Sequence, residues 1–486
     1  MTDATPSAPT FQSARHRALL WLVAIGFFMQ SLDGTIVNTA LPGMAQALHE
    51  SPLHMQMVVV AYALTMAVVI PSTGWLADAL GTKRVYLAAI VLFTVGSLAC
   101  AMSPTLGWLI AARVLQGVGG AMLLPVGRLA VLRVFPREAF LEAMSFVAIP
   151  GLIGPLIGPT LGGWLVQAMS WHWIFLINLP IGVLGVITTL AAMPELRSPD
   201  PGHFDTGGYL MLTVAMVSTS LALDGMGSLA LKHAIVVMLL ILGLAMLTTY
   251  WLHALRSRAP LFPPRLFGIQ SFRVGLLGNL FARIGSGAMP YLIPLLMQLG
   301  MGYSPAQAGM LMLPMAIAGM LTKRVVTPVI VHFGYRRVLL TNTILVGILT
   351  ASFALMTASE PLWLRIIQLA AFGAVNSLQF TAMNTVTLKD LDRDGAAAGN
   401  SLFSMVQMLG MSMGVSVAAG LLTAMADWLH VSARAGGGQS LPAFQLTLVV
   451  IGLITIGSAF IFWQIEYEPA QVIDRERAAG SGTLER

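Results

Sequence analysis

The stretch Gln30-Ser31-Leu32-Asp33-Gly34-Thr35-Ile36-Val37-Asn38-Thr39-Ala40-Leu41-Pro42 decides how this chain folds, because it sets a carboxylate inside an otherwise apolar run. The run begins near Ala18 and passes Trp21, Phe27, Phe28 and Met29. At about 1.5 Å per residue it is long enough to cross a hydrocarbon layer of about 30 Å. An ionised carboxylate in lipid costs at least about 2.5 kcal/mol, so Asp33 must face the protein interior, find a cation or take up a proton. Nine residues separate Asp33 from Pro42, which sets it inside the span rather than at its cap.

The rest of the composition agrees with a membrane solvent. Of the 486 residues 57% are hydrophobic and 9% charged, more apolar surface than a soluble domain of this length could hide. The single cysteine, Cys100, sits in an apolar run, cannot form an intrachain disulfide and reads as a small core residue. Residues 1–17 are polar, and the apolar segment after them is too long for a signal-peptide core and lacks an A-x-A site, so it reads as an uncleaved first span. The net charge of +6 is scattered in ones and twos, which argues against a nucleic-acid partner.

Windows of hydropathy broken by Pro, Gly and charge predict spans near 18–41, 57–78, 85–102, 106–130, 140–166 and 171–193, then two plainer ones near 207–224 and 233–253. Six more follow near 274–297, 306–326, 338–357, 361–387, 397–424 and 443–465. The expected architecture is all-α and polytopic, with fourteen transmembrane helices arranged as two six-helix repeats plus two inserted helices. Its parts are a cytoplasmic tail (1–17), an N-terminal six-helix bundle (18–193), a linker with two inserted helices (194–253), a cytoplasmic connector (254–273), a C-terminal six-helix bundle (274–465) and a second cytoplasmic tail (466–486). With the N-terminus in the cytoplasm, twenty of the 26 Lys and Arg fall on the cytoplasmic side, and only Lys232 and Arg434 on the other. That bias sets both termini in the cytoplasm.

The two blocks of six look duplicated. Gly81-Thr82-Lys83-Arg84-Val85 after span two recurs as Gly334-Tyr335-Arg336-Arg337-Val338, and Arg113 with Gln116 recurs as Arg365 with Gln368. Repeats related by an axis along the membrane normal build many transporters, with the substrate site between the halves.

Arg113 is the natural partner of Asp33. It follows Pro104, at the outer start of span four, by nine residues, so both charges lie roughly 14 Å in from the outer face. A guanidinium favours the ionised carboxylate while desolvation favours the protonated one, and a site balanced between the two loads and releases protons. A permanent structural ion pair is the other reading. In the loop from Gly74 to Arg84, Gly74 and Gly81 permit a tight turn and Asp78 can accept from helix amides or a basic neighbour, forming a cytoplasmic clasp with Lys83 and Arg84. In span five Gly151, Gly154, Pro155, Gly158, Pro159, Gly162 and Gly163 recur at three- to four-residue spacing, which allows close helix approach and loosens the helix.

Together these stretches resemble four signature motifs of the major facilitator superfamily, and with fourteen spans they resemble its fourteen-span drug:proton antiporter branch. The resemblance covers nearly the whole chain. It implies that Asp33 is the span-one acid, that Arg113 with Gln116 carries proton transfer, that Asp78 is the acid of the cytoplasmic gate, and that Gly154 with Pro155 belongs to an antiporter hinge. His172 departs from the family pattern, and Val331 stands where a second gate acid would fall.

The expected substrate cavity comprises Gln30, Asn38, Arg283, Gln298, Asn376 and Asn384. No acid follows Asp33 into the later spans, whereas Arg283 lies about 15 Å into span nine. It reads either as an anion-binding residue or as an interhelical structural one. His49, Glu50 and His54 read as a solvated loop, and neither a metal nor a cofactor is expected. The expected function is therefore proton-coupled export of small molecules, drugs or toxic compounds, by a bacterial inner-membrane carrier working as a monomer. Export of an organic anion such as citrate or its iron chelate is the alternative. A membrane enzyme or receptor is more remote, since the chain shows no metal-ligand or nucleophile cluster and no large soluble domain, and it has no ATP-binding P-loop signature.

Overall fold

The computed structural model describes residues 14–226, 233–429 and 441–465, and among them it is helical with no strand. Fourteen helices or helix pairs are long and apolar enough to cross a membrane. We number them by span: α1 Ala14–Ile36, α2 Gln56–Leu80, α3 Thr82–Ala101, α4 Leu106–Val134, α5 Arg137–Ala168, α6 Asn178–Ala192, α7 Thr206–Met226, α8 His233–Arg256, α9 Gln270–Ser286, α10 Leu313–Phe333, α11 Tyr335–Ser352, α12 Leu362–Leu388, α13 Arg393–Trp428 and α14 Leu441–Phe462. Span nine continues past Ser286 as Met289–Leu295, and span ten opens with Pro305–Leu311. The predicted tail 466–486, most of the tail 1–17, and both Lys232 and Arg434 lie outside the described residues.

All spans run in helices because no water is present in a bilayer core to satisfy free backbone groups. Their ends carry local stop signals. Thr105 Oγ1 accepts from Trp108 N at 3.3 Å to start α4, and Ser304 with Gln307 forms a capping box ahead of Pro305–Leu311. Gly81 and Gly334 end α2 and α10 with φ of 96° and 77°, so the duplicated sequence turn is duplicated in backbone conformation. Gly74, expected in that turn, instead sits inside α2 with open space around it. The apolar window that ends near 326 in the sequence also falls short. α10 runs on to Phe333, so Lys323 and Arg324, counted with the cytoplasmic cations, stand on exposed faces well within the span.

We call the membrane face where α1 begins the near face and the opposite one the far face. α1 packs along α5, α2 on α4 and α3 on α4, while α10 packs on α12, α11 on α14 and α9 on both α13 and α14. The two six-span blocks meet along two seams, α2 against α13 and α5 against Pro305–Leu311. α7 packs on α8 and lies over the first seam, touching both α2 and α13. Hydrogen bonds across the blocks cluster toward the far face: Thr160 Oγ1 to Gly309 O at 3.0 Å, Gln298 Nε2 to Thr39 O at 3.0 Å and Ala306 N to Gln167 Oε1 at 3.3 Å. The far side is thus sealed in this conformation.

Glycine makes both contacts of α5 possible. Toward α1, a Cβ at Gly151, Gly154, Gly158 or Gly162 would collide with Phe27, Ser31, Thr35 or the Ile36–Thr39 turn respectively. Toward the other block, a Cβ at Gly163 would lie 2.1 Å from Pro305 O, and one at Gly309 would lie 2.3 Å from Pro159 O. α5 stays one continuous helix through Pro150, Pro155 and Pro159. At Gly154 the obstacle is the Leu32 amide nitrogen at 2.7 Å, which cannot rotate away. Gly154→Val should therefore destabilise the protein by about 1–3 kcal/mol through overpacking. Gly34→Ala, at a site with nothing within 4 Å, should be neutral or slightly stabilising. Thermal melts in detergent compare the two, and equal melting temperatures would show that α1 and α5 do not meet at backbone distance.

The inserted pair α7–α8 is clasped at the near face by Asp205, which accepts from Gly208 N at 2.9 Å, Leu261 N at 3.1 Å and His253 Nε2 at 2.8 Å. Burial pushes the Asp205 carboxyl up, but the Gly208 amide, His253 and the Leu261 amide outweigh it and hold it below the usual carboxylate value. A carboxyl depressed by folding stabilises above its unfolded pKa of about 3.9 and loses that contribution as pH falls through the lower folded value. Asp205→Asn should cost about 1–3 kcal/mol at neutral pH, since the amide keeps one acceptor oxygen but loses the charge and the second acceptor that Leu261 N uses. It should also remove part of the acid sensitivity below about pH 4. Melting curves at pH 7 and pH 3 test this, and an unchanged difference between the two would exclude Asp205 as the acid-labile clasp.

Candidate functional site

Asp33 and Arg113 meet. Asp33 comes from α1, Arg113 and Gln116 from one turn of α4, and all three are at most 1% exposed. Arg113 Nη1 donates to Asp33 Oδ2 at 2.6 Å and to Gln116 Oε1 at 2.6 Å, while Gln116 Nε2 donates to Asp33 Oδ1 at 2.8 Å. Arg113 and Gln116 are three residues apart, so one helical turn presents both to the same carboxylate. Asp33 accepts at both oxygens, the pattern of an ionised carboxylate.

A second layer fixes this triangle. Gln116 Nε2 also donates to Ser97 Oγ at 2.8 Å, and Asn178 Nδ2 reaches the same hydroxyl at 3.3 Å. Arg113 Nε donates to Val58 O at 3.1 Å, and its guanidinium lies 4.1 Å from the centre of the Tyr62 ring. Cys100 Sγ lies 3.7 Å from Gln116 Oε1, so the lone cysteine borders the network as well as the core. Ser97, Asn178 and Tyr62 are absent from the sequence-based set. Their signal was a polar group in an apolar helix, but which way each pointed depended on packing. The network is enclosed by α1, α2, α3, α4 and α6, so the first block holds it alone.

The duplicated pair behaves differently. Arg365 lies in the first turn of α12 and hydrogen-bonds Tyr303 Oη, Ala358 O and Glu360 O near the far face, while Gln368 Nε2 donates to Ser352 Oγ at 2.8 Å. Without a carboxylate corresponding to Asp33, the second arginine secures the far-face end of its helix.

At the near face Asp78 pairs with Arg133 from the last turn of α4. The loop's own cations point elsewhere, Lys83 Nζ to Leu190 O at 2.8 Å and Arg84 Nε toward Glu195 Oε2 at 3.9 Å. Thr82 N donates to Leu196 O at 2.9 Å, and the Glu195 carboxylate lies over Gly81, whose φ of 96° favours glycine. These contacts bind the loop to its own block.

The expected cavity residues divide into groups. Arg283 lies with its guanidinium 4.8 Å from the centre of the Phe380 ring, its Nε without a hydrogen-bond partner. Asn376, Phe380 and Asn384 follow at four-residue steps and share one face of α12, which puts Arg283 beside both asparagines' stripe. Asn384 Oδ1 accepts from Gln407 Nε2 at 2.9 Å. Gly319 packs against Gly373 O and Ser377, so Lys323, one turn on along α10, comes level with the same stretch of α12. Arg283, Lys323 and Arg324 form no ion pair among the described residues. Gln298 belongs to the far-face seal, Asn38 is buried in the turn after α1 with Oδ1 unpartnered, and Gln30 is half-buried on α1. His54 Nδ1 lies 3.3 Å from Glu50 Oε2 in an exposed loop.

A fully buried acid of the inserted pair also stands outside every sequence-based set. Asp224, at the far-face end of α7, is 1% exposed.

Comparison with known proteins accounts for this architecture. The sequence profile of the Major Facilitator Superfamily matches residues 23–415. A protein of Serratia proteamaculans is 52% identical over 469 residues, covering 96% of this chain and 98% of its own. One from Pectobacterium carotovorum is 49% identical over 461 residues, covering 95% and 97%. Both are provisionally named multidrug resistance protein MdtD. Among solved structures, an auto-inhibited POT family peptide transporter superposes with a TM-score of 0.68 at 15% identity, covering 93% of this chain and 97% of that one. The human organic anion transporter MFSD10 gives 0.58 at 15% identity, covering 93% and 100%. These distant structures share the fold, whereas the profile and the bacterial relatives extend over most of the sequence, and on that ground this multi-pass membrane protein belongs to the major facilitator superfamily.

Proposed function

We propose that the protein is a proton-coupled antiporter that exports small molecules, drugs or other toxic compounds, across a bacterial inner membrane by alternating access. The observation that carries this reading is the enclosed Asp33–Arg113–Gln116 triangle, an ionisable group at membrane depth held by one cation and one amide. The bacterial relatives' multidrug-resistance names support the cargo class. In this scheme the blocks 18–193 and 274–465 rock about the cavity between them, 194–253 is an insertion, and both termini are cytoplasmic. The working unit is a monomer.

With the far face sealed, Asp33 is bound by Arg113 and carries no proton. Opening toward the far face must loosen that pair, and Asp33 then takes a proton from outside. Cargo leaves to that side while the far face is open, and return to the sealed state restores the arginine contact, which expels the proton toward the cytoplasm. Removing one partner of a buried pair costs about 3–5 kcal/mol, so the exchange needs the other donor, Gln116, to keep Asp33 in place. Asp78 with Arg133 acts as the near-face gate, and the glycines of α5 let the two seams part and rejoin.

A second reading, export of an organic anion such as citrate or its iron chelate, is favoured by the three cations without acid partners, Arg283, Lys323 and Arg324. A charge-assisted hydrogen bond to a carboxylate contributes about 1.5–3 kcal/mol, hence roughly a ten- to hundredfold change in affinity.

Two predictions separate these readings in proteoliposomes with internal pH as the readout. Asp33→Asn should lower cargo-driven proton movement at least about tenfold, since one protonation step is lost, and full movement in that variant would overturn proton coupling at this residue. With citrate as the driving solute, Arg283→Ala should reduce the response by about tenfold or more. A response to a lipophilic cation alone, unaffected by Arg283→Ala, would remove the anion reading.

A further inference from the structure

Asp224 lies where three structural units converge. It comes from α7, and Gln56 Nε2 at the start of α2 donates to its Oδ1 at 3.4 Å. Ser416 of α13 and Tyr291 of Met289–Leu295 lie beside the same carboxyl. Asp224, Gln56, Ser416 and Tyr291 are each at most 1% exposed. The inserted helix pair, the first block and the second block are therefore joined at one carboxyl inside the far-face end of the α2–α13 seam.

The groups facing this carboxyl are neutral. α2 presents Gln56, α13 presents Ser416 with Ser412 one turn earlier, Met289–Leu295 presents Tyr291, and α7 itself presents Ser220. From α8, His233 stands exposed at the same end. Asp224 forms no ion pair among the described residues. It thus differs from Asp33, whose charge is met by Arg113. Ser416 has a single O–H, and that hydroxyl lies 3.2 Å from Ser412 O. The hydroxyl rotates between its two acceptors: turned to Ser412 O it can accept from a protonated Asp224, and turned to Asp224 it donates to the carboxyl. Burying an ionised carboxylate among neutral donors would be expensive, whereas a carboxylic acid with an acceptor is tolerated.

We propose that Asp224 is a second proton-binding site, built into the seam between the blocks, which takes up a proton from the far-face solution each time that face closes. When the seam parts, water reaches the carboxyl and the proton leaves to the same side from which it came. The site does not face the near side in the sealed conformation, so its proton is not carried across. It makes closure easier in an acidic exterior without changing the number of protons exchanged per cargo. Because α7 supplies the carboxyl, it also gives the inserted pair a task, as reporter of external pH to the gate.

The test reads far-face closure directly. Nitroxide labels at Met102→Cys and Ser359→Cys, exposed far-face positions of the first and second blocks, report the distance across the gate in full-length protein in nanodiscs, with the buried Cys100 left unlabelled. All measurements use the Asp33→Asn background, so the first acid cannot respond. Lowering the pH from about 8 to 5 should shift the population to the short distance, with a slope no steeper than about tenfold per pH unit for one linked proton. Adding Asp224→Asn should hold the short distance at every pH. A background that ignores pH, or a double variant that still responds, would overturn the proposal. Should Asp224→Asn fail to assemble, Ser416→Ala should shift the midpoint, and an unmoved midpoint would equally overturn it. With Asp33 intact, Asp224→Asn should keep the native number of protons per cargo, and a lower number would mean that Asp224 lies on the transport path. The distance readout needs no cargo, so it stands or fails separately from the export reading.

Discussion

Everything in the first block is arranged around the desolvation of Asp33. A charge at that depth is tolerated only if a cation meets it and every remaining polar atom is used, because an unpaired buried ion costs several kcal/mol. Arg113 supplies the cation, but a guanidinium has five N–H groups and brings its own needs. Val58 O, Gln116 Oε1 and the Tyr62 face meet them, and Gln116 in turn requires Ser97. With Asn178 of α6 reaching the same serine, one acid in α1 thus dictates residues on four other spans.

The same helix is constrained on its other side. α1 lies against α5 through glycines whose Cβ atoms would strike it, and α5 then reaches the second block through Gly163 and Gly309. Asp33 is therefore connected to the far-face seal by two backbone-to-backbone contacts with little compressible side chain between them. Packed interfaces of that kind have discrete arrangements rather than graded ones. A change at the Asp33 pair has a short mechanical route to the seam.

What was legible in the sequence followed from local rules. Span number came from apolar length, the Gly81 and Gly334 turns from a repeated pentapeptide, and the Asp33–Arg113 contact from equal distances to the flanking prolines. What was not legible depended on the third dimension. Ser97 and Asn178 were polar residues in apolar windows, and only the crossing of α3, α4 and α6 sets them together. Lys323 and Arg324 counted as cytoplasmic charges because charge is the usual mark of a span's end, yet the helix continues well past them. Gly74 shared a motif with Gly81 but not its backbone geometry. Asp224 sat at a predicted span end, where an acid is ordinarily solvated, and its burial arises from the packing of α7 over a seam between distant parts of the chain.

The confinement of the Asp33 network to one block has an evolutionary consequence. The cations Arg283, Lys323 and Arg324 sit on the other block, outside the hydrogen-bonded set that Asp33 imposes. In the proposed scheme, substitutions there can alter which molecules are accepted while leaving the Asp33 network untouched. Such a separation would let cargo range diverge rapidly among relatives that keep one scaffold, since new specificity would not have to be found and coupled at the same time.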